Sequence, residues 1–252
     1  MLGIALSAAC ARKPDTTRRA PDVASLTGEF PGGIRTYSTL QALMEEGNTG
    51  PHVSLATLKP DKALIGIGSL SELRGEIWIY GGEVWLGYPK DDKSAWAREL
   101  GVLNESAAFA ATARVTEWQT GPVSRDVPFE ELADFVEGLA RGAGLDLKGP
   151  IPIAVEGKFT NLALNVVDGR GFPPGKKIPR DALMAAAAKA EYASVEGVIV
   201  GFFARGERPE LIHPGARLHL HVLLRGENQV GHVDRVTLTP ASQVRLPVAG
   251  TM

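Results

Sequence analysis

The sequence predicts an α+β fold with mixed or antiparallel β-sheets and few short helices, arranged as two closely packed halves. Most apolar segments are short runs of Val, Ile and Leu bounded by Gly and polar residues, which is typical of β-strands. Several neighbouring runs flank tight-turn sequences, as in hairpins, whereas only three segments have helical spacing or composition. This order of elements argues against a nucleotide-binding fold of alternating strands and helices.

The composition is that of a globular protein that can bury a sizeable core. The chain has 252 residues, of which 44% are hydrophobic and 22% are charged, and its formal net charge is −2. This charge balance predicts that no nucleic acid is bound, and Lys and Arg do not cluster with aromatic residues. We divide the chain into a signal-like segment and linker (1–33), an N-terminal β-rich half (34–125) and a C-terminal α+β half (126–252).

The single cysteine, Cys10, excludes an intrachain disulfide and any Cys-x-x-Cys motif. It ends a short apolar segment of small residues, similar to the end of a bacterial lipoprotein signal in which Cys10 bears the lipid. The basic start of such a signal is missing and its apolar part is short. Two locations therefore stay open, an extracytoplasmic lipoprotein anchored at Cys10 and a cytoplasmic protein.

The N-terminal half is predicted to open with a short helix. Ser38-Thr39-Leu40-Gln41 has the pattern of a capping box, so we expect a helix from there to Glu46, stopped by Gly47. The apolar residues 63–69 and 107–118 are predicted to be strands.

The clearest predicted hairpin joins residues 76–80 to 83–88 through a Gly-Gly turn. Its register places Trp78 opposite Trp85, with Glu76 on the same face. Desolvation among aromatic rings raises the pKa of a carboxylate, which suits a proton donor or acceptor. Taken alone, however, these residues favour the plainer interpretation that Glu76 is a solvated residue of an edge strand.

The C-terminal half is predicted to begin with an amphipathic helix over 128–141, whose apolar stripe serves core packing. Residues 151–155 and 159–167 are predicted to be two paired strands that turn at a Glu-Gly-Lys sequence. The alanine content of 180–190 predicts a helix, and the apolar residues 197–203 predict another strand.

Three of the five histidines lie in a predicted hairpin near the C-terminus. His219 and His221 point to one face, because side chains alternate along a strand. If Gly226-Glu227 forms the centre of a type II′ turn, His221 lies directly opposite His232. Three imidazoles then converge on one face. The two strands are expected over 218–224 and 230–238.

Three imidazoles with an open position indicate a catalytic zinc site, although other divalent transition metals also bind neutral imidazole. A His-x-His pair alone more often consists of solvated or internally bonded histidines, and it is the third histidine that favours a metal. His213 and His52 lie in loop-like sequence beside Pro, and we interpret them as ordinary surface residues.

The spacing of this motif resembles that of the α-acetolactate decarboxylase family. Gly215 precedes His219-Leu220-His221, and ten residues lie between His221 and His232 of Gly231-His232-Val233. Weaker likenesses are found in residues 196–202 and 153–159, and in Leu73-Arg74-Gly75-Glu76, which is similar to the family's Leu-Asp-Gly-Glu. The resemblance covers roughly residues 34–247.

The resemblance implies a metal-dependent decarboxylase that converts 2-acetolactate, or a related 2-hydroxy-3-oxo acid, to acetoin and CO2. It implies that His219, His221 and His232 bind zinc and that Glu76 handles the proton beside the metal. A metal that chelates the hydroxyl and ketone oxygens would stabilise the charge left by departing CO2. The resemblance also implies a homodimer.

Two departures from the family pattern concern polar residues. The family has an arginine in an Arg-Thr-Val segment where this chain has Asn165-Val166-Val167, and it has a second glutamate near the C-terminus where nothing acidic follows Asp234. Asparagine does not supply the charge or the two-point geometry of an arginine bound to a carboxylate. Lys158 and Arg170 are the cations that we consider as its replacement.

Asp234 has two interpretations. The predicted register places it opposite His219, where its carboxylate would orient the imidazole. Alternatively, it forms a surface ion pair with Arg217 or Arg235.

These departures keep a second function open, an extracytoplasmic metal-binding protein of the same fold that has lost decarboxylase activity. A cupin-like oxygenase also uses His-x-His, but Glu227 follows His221 at a longer spacing than in that motif. We therefore set the oxygenase aside.

Overall fold

The computed structural model describes residues 26–99 and 103–251, so the predictions for Cys10 and the signal-like segment lie outside the described residues. Within those ranges, antiparallel strands form two sheets and only a few short helices accompany them. This confirms the predicted α+β fold of antiparallel sheets with few short helices. None of the helices described is long and apolar enough to cross a membrane.

The first sheet contains β1 (Leu26–Phe30), β2 (Ile34–Tyr37), β3 (Val53–Ser54), β4 (Leu64–Leu70), β5 (Glu76–Tyr80), β6 (Glu83–Pro89), β7 (Ala95–Glu99) and β8 (Ser106–Arg114). The second contains β9 (Trp118–Pro122), β10 (Ile151–Val166), β11 (Ala188–Phe203), β12 (Leu218–Leu224) and β13 (Gln229–Pro247). The helices are α1 (Leu40–Glu45), α2 (Leu55–Leu58), α3 (Phe129–Gly142) and α4 (Arg180–Ala186), with a 3-10 turn over Ser71–Leu73.

The strand order separates the two sheets. The first runs β1-β2-β8-β4-β5-β6-β7, with β3 also beside β8, and the second runs β10-β11-β12-β13-β9. Because β10 pairs with both β11 and β13, the strands β10 to β13 close into a ring. β9 belongs to the predicted N-terminal half, 34–125, but it pairs with β13 of the second sheet. The division of the chain into two halves at residue 126 stays a prediction.

The two sheets share an apolar core and contact each other directly. Trp78 of β5 is almost fully buried, and its indole N–H donates to the Val198 carbonyl of β11 at 3.1 Å. Phe109 and Phe202, one from each sheet, are fully buried in the same cluster. Burying a side chain of this size contributes about 1.5–3 kcal/mol, so these residues hold the first sheet against the second.

Helix α3 has the core-packing role that its sequence predicts. Leu132, Val136 and Ala140 are buried against the second sheet, as expected from their spacing of three to four residues. Glu130 in the first turn and Arg141 in the last turn have the charges that stabilise the two ends of a helix.

The predicted turn at residues 156–158 is wrong. Ile151–Val166 form one continuous strand, which pairs with β11 on one side and β13 on the other. Its register with β13 shifts between Gly157 and Phe159, so the strand bends there instead of reversing. Gly157 has φ 133°, and a Cβ would lie 2.3 Å from the Ala241 carbonyl oxygen. The glycine thus marks a close approach of two strands, not a hairpin.

Other predicted boundaries move by a few residues. Thr39, not Ser38, caps α1, since its hydroxyl accepts the Ala42 N–H at 2.9 Å. Residues 26–30, assigned to the linker, form a strand that pairs with β2. The predicted strand 107–118 ends at Arg114, and the predicted helix 180–190 ends at Ala186, beyond which β11 begins.

Both predicted hairpin registers are confirmed. Trp78 pairs with Trp85, and His221 pairs with His232. The predicted type II′ turn is wrong, because Gly226 lacks a positive φ and Asn228 adopts one of 52°. The register survives, since the same four residues separate Leu224 from its partner Gln229.

Candidate metal centre

Strands β12 and β13 bring the three predicted histidines together. His219 and His221 point to one face of β12 and are 3% and 1% exposed, while His232 faces them from β13 and is half-buried. The ring centroid of His219 lies 5.3 Å from that of His221 and 5.2 Å from that of His232. The His221 and His232 centroids are 5.7 Å apart. Three rings therefore surround one point.

Backbone carbonyls orient two of these rings. Nδ1 of His219 lies 2.7 Å from the Leu211 carbonyl oxygen, and Nδ1 of His221 lies 2.9 Å from that of Ile77. A carbonyl only accepts, so Nδ1 carries the hydrogen and Nε2 keeps its lone pair. Burial lowers the pKa of all three imidazoles well below the usual value. They are therefore neutral, the form that binds metals.

A fourth histidine joins this cluster, which corrects the interpretation of His213 as a surface residue. Its ring centroid lies 5.0 Å from that of His219 and 5.3 Å from that of His232. The ligand nitrogens of His213, His219 and His232 all lie within 4.8 Å of one another. Burial lowers the pKa of His213 to about 4, and the charge of Arg180 adds to that effect. His52, in contrast, stays outside the cluster.

The placement of His213 depends on its neighbours in the chain. Leu211 and Ile212 are buried in the core between the sheets, and the backbone N–H groups of both donate to the Arg208 carbonyl. This anchored turn directs His213 towards β12. The sequence pattern could not predict this position. His213 lies in an irregular loop, and its contacts with His219 and His232 are tertiary.

The donor set fits a divalent metal of the zinc type. Tetrahedral zinc with Zn–N bonds of about 2.0–2.1 Å brings ligand nitrogens to roughly 3.4 Å from one another, a modest contraction of the present cluster. His219 and His232 belong to either possible trio, completed by His221 on one side or by His213 on the other.

Glu76 lies beside these imidazoles at the start of β5. Its Oε2 is 3.7 Å from Nε2 of His221, and its side chain is 2% exposed. The preceding residue has to be a glycine for β5 to start here. Gly75 has φ 150°, and a Cβ at this residue would lie 2.0 Å from the Gly87 carbonyl oxygen. The plainer interpretation of Glu76 as a solvated residue of an edge strand is therefore wrong, and its role at the metal stays a prediction.

Two hydrogen bonds hold the Glu76 carboxyl group. Oε1 accepts the Val167 N–H at 3.2 Å, and Oε2 accepts the Ser69 hydroxyl at 3.3 Å, across the β4–β5 pair. Burial raises the pKa of Glu76 to about 8, which outweighs the opposing hydrogen bonds. A cation held by the neighbouring imidazoles would lower this pKa again, so metal binding and proton loss at Glu76 are coupled.

Asp234 does not orient His219 as the register predicted. The β12–β13 pairing ends at His221 and His232, and Asp234 Oδ1 instead accepts the Asn165 amide N–H at 2.7 Å. The second predicted role, an ion pair with Arg217 or Arg235, is also absent among the described residues. Arg217 pairs with Asp134 and Glu137 on α3, and Arg235 lies 3.7 Å from Glu191.

The histidines and Glu76 share one cavity of about 670 Å³. Its polar lining includes the four histidines, Glu76, Asn165 and Asp234. Apolar side chains form much of the remaining wall: Leu40, Leu43, Met44, Leu73, Val167, Ile178, Leu183, Met184, Pro209 and Pro214. Lys177 and Arg180 are its cationic residues.

The two cations considered as replacements for the family's arginine lie elsewhere. Arg170 is bound by Asp168 and Asp91 at the surface, and Lys158 is exposed on β10. Neither residue lines the cavity.

The family profile of alpha-acetolactate decarboxylase matches residues 34–251. This chain belongs to the alpha-acetolactate decarboxylase family. No curated protein sequence matches it significantly. The family assignment therefore rests on the profile match.

Solved structures share the fold of this decarboxylase-family chain. The alpha-acetolactate decarboxylase from Bacillus subtilis strain 168 has 20% identity and a TM-score of 0.67, with 84% of this chain and 83% of that chain covered. The acetolactate decarboxylase from Bacillus subtilis subspecies spizizenii has 21% identity and a TM-score of 0.68, with 85% of each chain covered.

A third similar structure is a Staphylococcus aureus protein of unknown function described as similar to alpha-acetolactate decarboxylase. It has 18% identity and a TM-score of 0.61, with 84% of this chain and 83% of that chain covered. At these identities the likeness establishes the acetolactate decarboxylase fold, and substrate specificity has to be argued from the site.

Proposed function

We propose that this chain is a metal-dependent decarboxylase that converts 2-acetolactate, or a related 2-hydroxy-3-oxo acid, to acetoin and CO2. The observation that carries the proposal is the convergence of neutral imidazoles and the buried Glu76 carboxyl group in one cavity. His219, His221 and His232 are the proposed ligands, and zinc is the proposed metal. Membership of the decarboxylase family supports this reaction class.

The reaction needs charge stabilisation and one proton. The bond between C2 and the carboxyl carbon breaks, and its electron pair forms a C2–C3 double bond while negative charge moves to the C3 oxygen. A bound divalent metal supplies Lewis acidity, which stabilises negative charge on that oxygen. Protonation of C2 then yields acetoin, so each turnover releases one CO2 and takes up one proton.

Glu76 is the residue proposed to deliver this proton. A carboxyl group can carry and release a proton, and the position of Glu76 Oε2 at 3.7 Å from Nε2 of His221 places it at the ligand cluster. The Val167 N–H and the Ser69 hydroxyl hold the carboxyl group in one orientation. Delivery from a fixed side chain directs the proton to one face of C2.

The cavity walls suit the two methyl groups of acetolactate. Leu40, Leu43, Leu183 and Met184 contribute apolar surface to the cavity that the histidine cluster lines. Such a wall removes water from the reacting carbons, which strengthens the electrostatic interactions within the site.

A second candidate function is a metal-binding protein that has lost decarboxylase activity. His213 favours it, because a fourth imidazole at the cluster completes a closed tetrahedral site without an open position for substrate. The two functions predict the same metal content but opposite results in a turnover assay.

The deciding experiment measures acetoin release from racemic 2-acetolactate by the zinc-loaded protein. We expect release that stops after chelator treatment and returns when zinc is added back. A fully zinc-loaded protein that forms no acetoin would refute the decarboxylase and favour the closed metal site. CO2 release is measured in parallel with the zinc-loaded protein and with substrate alone, and the substrate-only sample controls for spontaneous decarboxylation.

A homodimer and a lipid anchor at Cys10 also remain proposals, and each has a direct test. Sedimentation equilibrium distinguishes a dimer from a monomer. Fractionation of cells that express Cys10→Ser tests the anchor, because a variant that stays with the membrane would refute lipid attachment at Cys10.

A further inference from the structure

The charged residues that line the cavity differ in whether they already have a partner. Lys177 forms an ion pair with Glu45, and Asp234 accepts a hydrogen bond from Asn165. Glu76 is bound by Val167 and Ser69. Arg180 differs from these residues, because it forms no hydrogen bond or ion pair with any other described residue.

Arg180 is nevertheless held at a defined place on the cavity wall. It begins α4, and the residues on either side of it are anchored. The Ile178 N–H donates to the Met44 carbonyl at 2.8 Å, and the Leu183 N–H donates to the Pro179 carbonyl at 3.0 Å. The side chains of Ile178 and Leu183 are buried. The start of α4 is therefore fixed against α1, while the guanidinium remains exposed at the cavity.

The charge of Arg180 reaches the histidine cluster. Burial is the main cause of the lowered pKa of His213 and His232, and the positive charge of Arg180 contributes to both. Burial raises the pKa of Asp234, whereas the Asn165 hydrogen bond and nearby cations, including Arg180, oppose this shift. Arg180 also lines the same cavity as His213, His232 and Asp234, so one small ligand in that cavity can contact both the guanidinium and the imidazole cluster.

We propose that Arg180 binds the carboxylate of the substrate and thereby selects anionic 2-hydroxy acids. This inference rests on the proposed function, since it assigns one end of that substrate. The imidazole cluster faces the hydroxyl and ketone oxygens. The guanidinium of Arg180, which has no partner among the described residues, provides two parallel N–H groups for the carboxylate. Lys177 is engaged by Glu45 and lacks this planar geometry.

The role has a kinetic signature. The carboxylate loses its charge as CO2 forms, so a cation bound to it stabilises the substrate more than the transition state. Arg180→Met should therefore raise KM by about 10- to 100-fold and leave kcat within about threefold of the wild-type value. Arg180→Lys keeps the charge but not the two parallel N–H donors, so its KM should lie between that of the wild type and that of Arg180→Met.

A binding experiment tests the inference without turnover. Isothermal titration calorimetry of the zinc-loaded protein compares 2-hydroxy-2-methylpropanoate, which lacks the ketone and cannot react, with the neutral 2-hydroxy-2-methylpropanamide. We expect the anion to bind the wild type about 10- to 100-fold more tightly than the amide. Arg180→Met should lose this preference, whereas Lys177→Met, the matched control, should keep it. Zinc content and the melting temperature establish that both variants fold.

Each outcome decides the inference. Retained preference for the anion in Arg180→Met would overturn it, as would a wild type without any preference. Equal losses in Arg180→Met and Lys177→Met would overturn it too, because they would indicate a general field and not a contact.

The inference and the proposed function fail separately. A protein that forms no acetoin but shows an Arg180-dependent anion preference would keep the inference and refute the decarboxylase. A protein that forms acetoin with the same KM in the wild type and in Arg180→Met would do the reverse.

Discussion

The two ends of the cavity are built in different ways. Its inner end consists of His219, His221 and His232 with Glu76. These residues lie on β5, β12 and β13, each of which has a paired strand on both sides. Its outer wall consists of the segment from Ile178 through α4, which contacts α1 and belongs to neither sheet. Strand pairing therefore positions the proposed metal ligands and Glu76, whereas a short helix positions Arg180, the proposed carboxylate-binding residue.

The difference teaches which residues can vary without loss of the fold. The inner side chains are packed between two sheets, and a change there affects both metal binding and packing. The outer wall presents exposed Arg180 on a seven-residue helix. Substitutions on that wall should alter substrate choice while stability stays nearly constant.

The largest expected effect comes from His219→Ala at the inner end. His219 belongs to either possible ligand trio, so its loss should lower zinc affinity by at least about 10³-fold, since each ligand carries several of the roughly 10–16 kcal/mol of a zinc site. Competition with a chromophoric chelator measures this affinity. His52→Ala, outside the cavity, is the matched control and should bind zinc normally. Wild-type affinity in His219→Ala would refute the metal centre.

Glu76→Gln separates chemistry from metal binding at the same end. The amide cannot deliver the proton, so we expect kcat to fall by about 10²- to 10⁴-fold at unchanged zinc content. Steady-state kinetics and elemental analysis on the same preparation measure the two quantities. A variant with the wild-type kcat would remove Glu76 from the proton-transfer role.

His221→Ala and His213→Ala decide which histidine completes the metal site with His219 and His232. With His221 as the third ligand, His221→Ala should lose about 100-fold or more in zinc affinity, whereas His213→Ala should stay within about 10-fold. The same chelator competition measures both. The reverse order would move the metal to the His213 side of the cluster.

Hydrogen exchange compares the two ends as wholes. The β12 amides at the inner end should exchange at least about tenfold more slowly than the amides of α4, because central strands open with the core and short peripheral helices open locally. Mass spectrometry of metal-free and zinc-loaded protein measures this difference. Equal exchange rates at both ends would mean that the outer wall is as rigid as the sheet.

The smallest effect is expected for Asp234→Asn. The Asp234 carboxylate is hydrogen-bonded by Asn165 and does not contact a histidine ring nitrogen, so zinc affinity should change by less than about threefold. Calorimetric zinc titration checks this. A tenfold or greater loss would restore Asp234 as a residue that orients the ligands.

Hairpins were the part of the fold that local sequence predicted well. Trp78 faces Trp85 and His221 faces His232 because a short turn sets the register, even where the predicted turn type is wrong. The failed turn at Gly157 shows the limit of this reasoning. A Glu-Gly-Lys sequence suits both a hairpin and a bulge, and only pairing with β13 selects the bulge.

The sequence alone determined that three imidazoles share one face, because side-chain alternation and turn length are local properties of the chain. Tertiary structure decided the rest of the site. The burial of Glu76 depends on the second sheet, and the positions of His213 and Arg180 depend on how a loop and a short helix pack against distant residues. Such contacts join residues far apart in the chain and follow from packing the whole core, which no local pattern encodes.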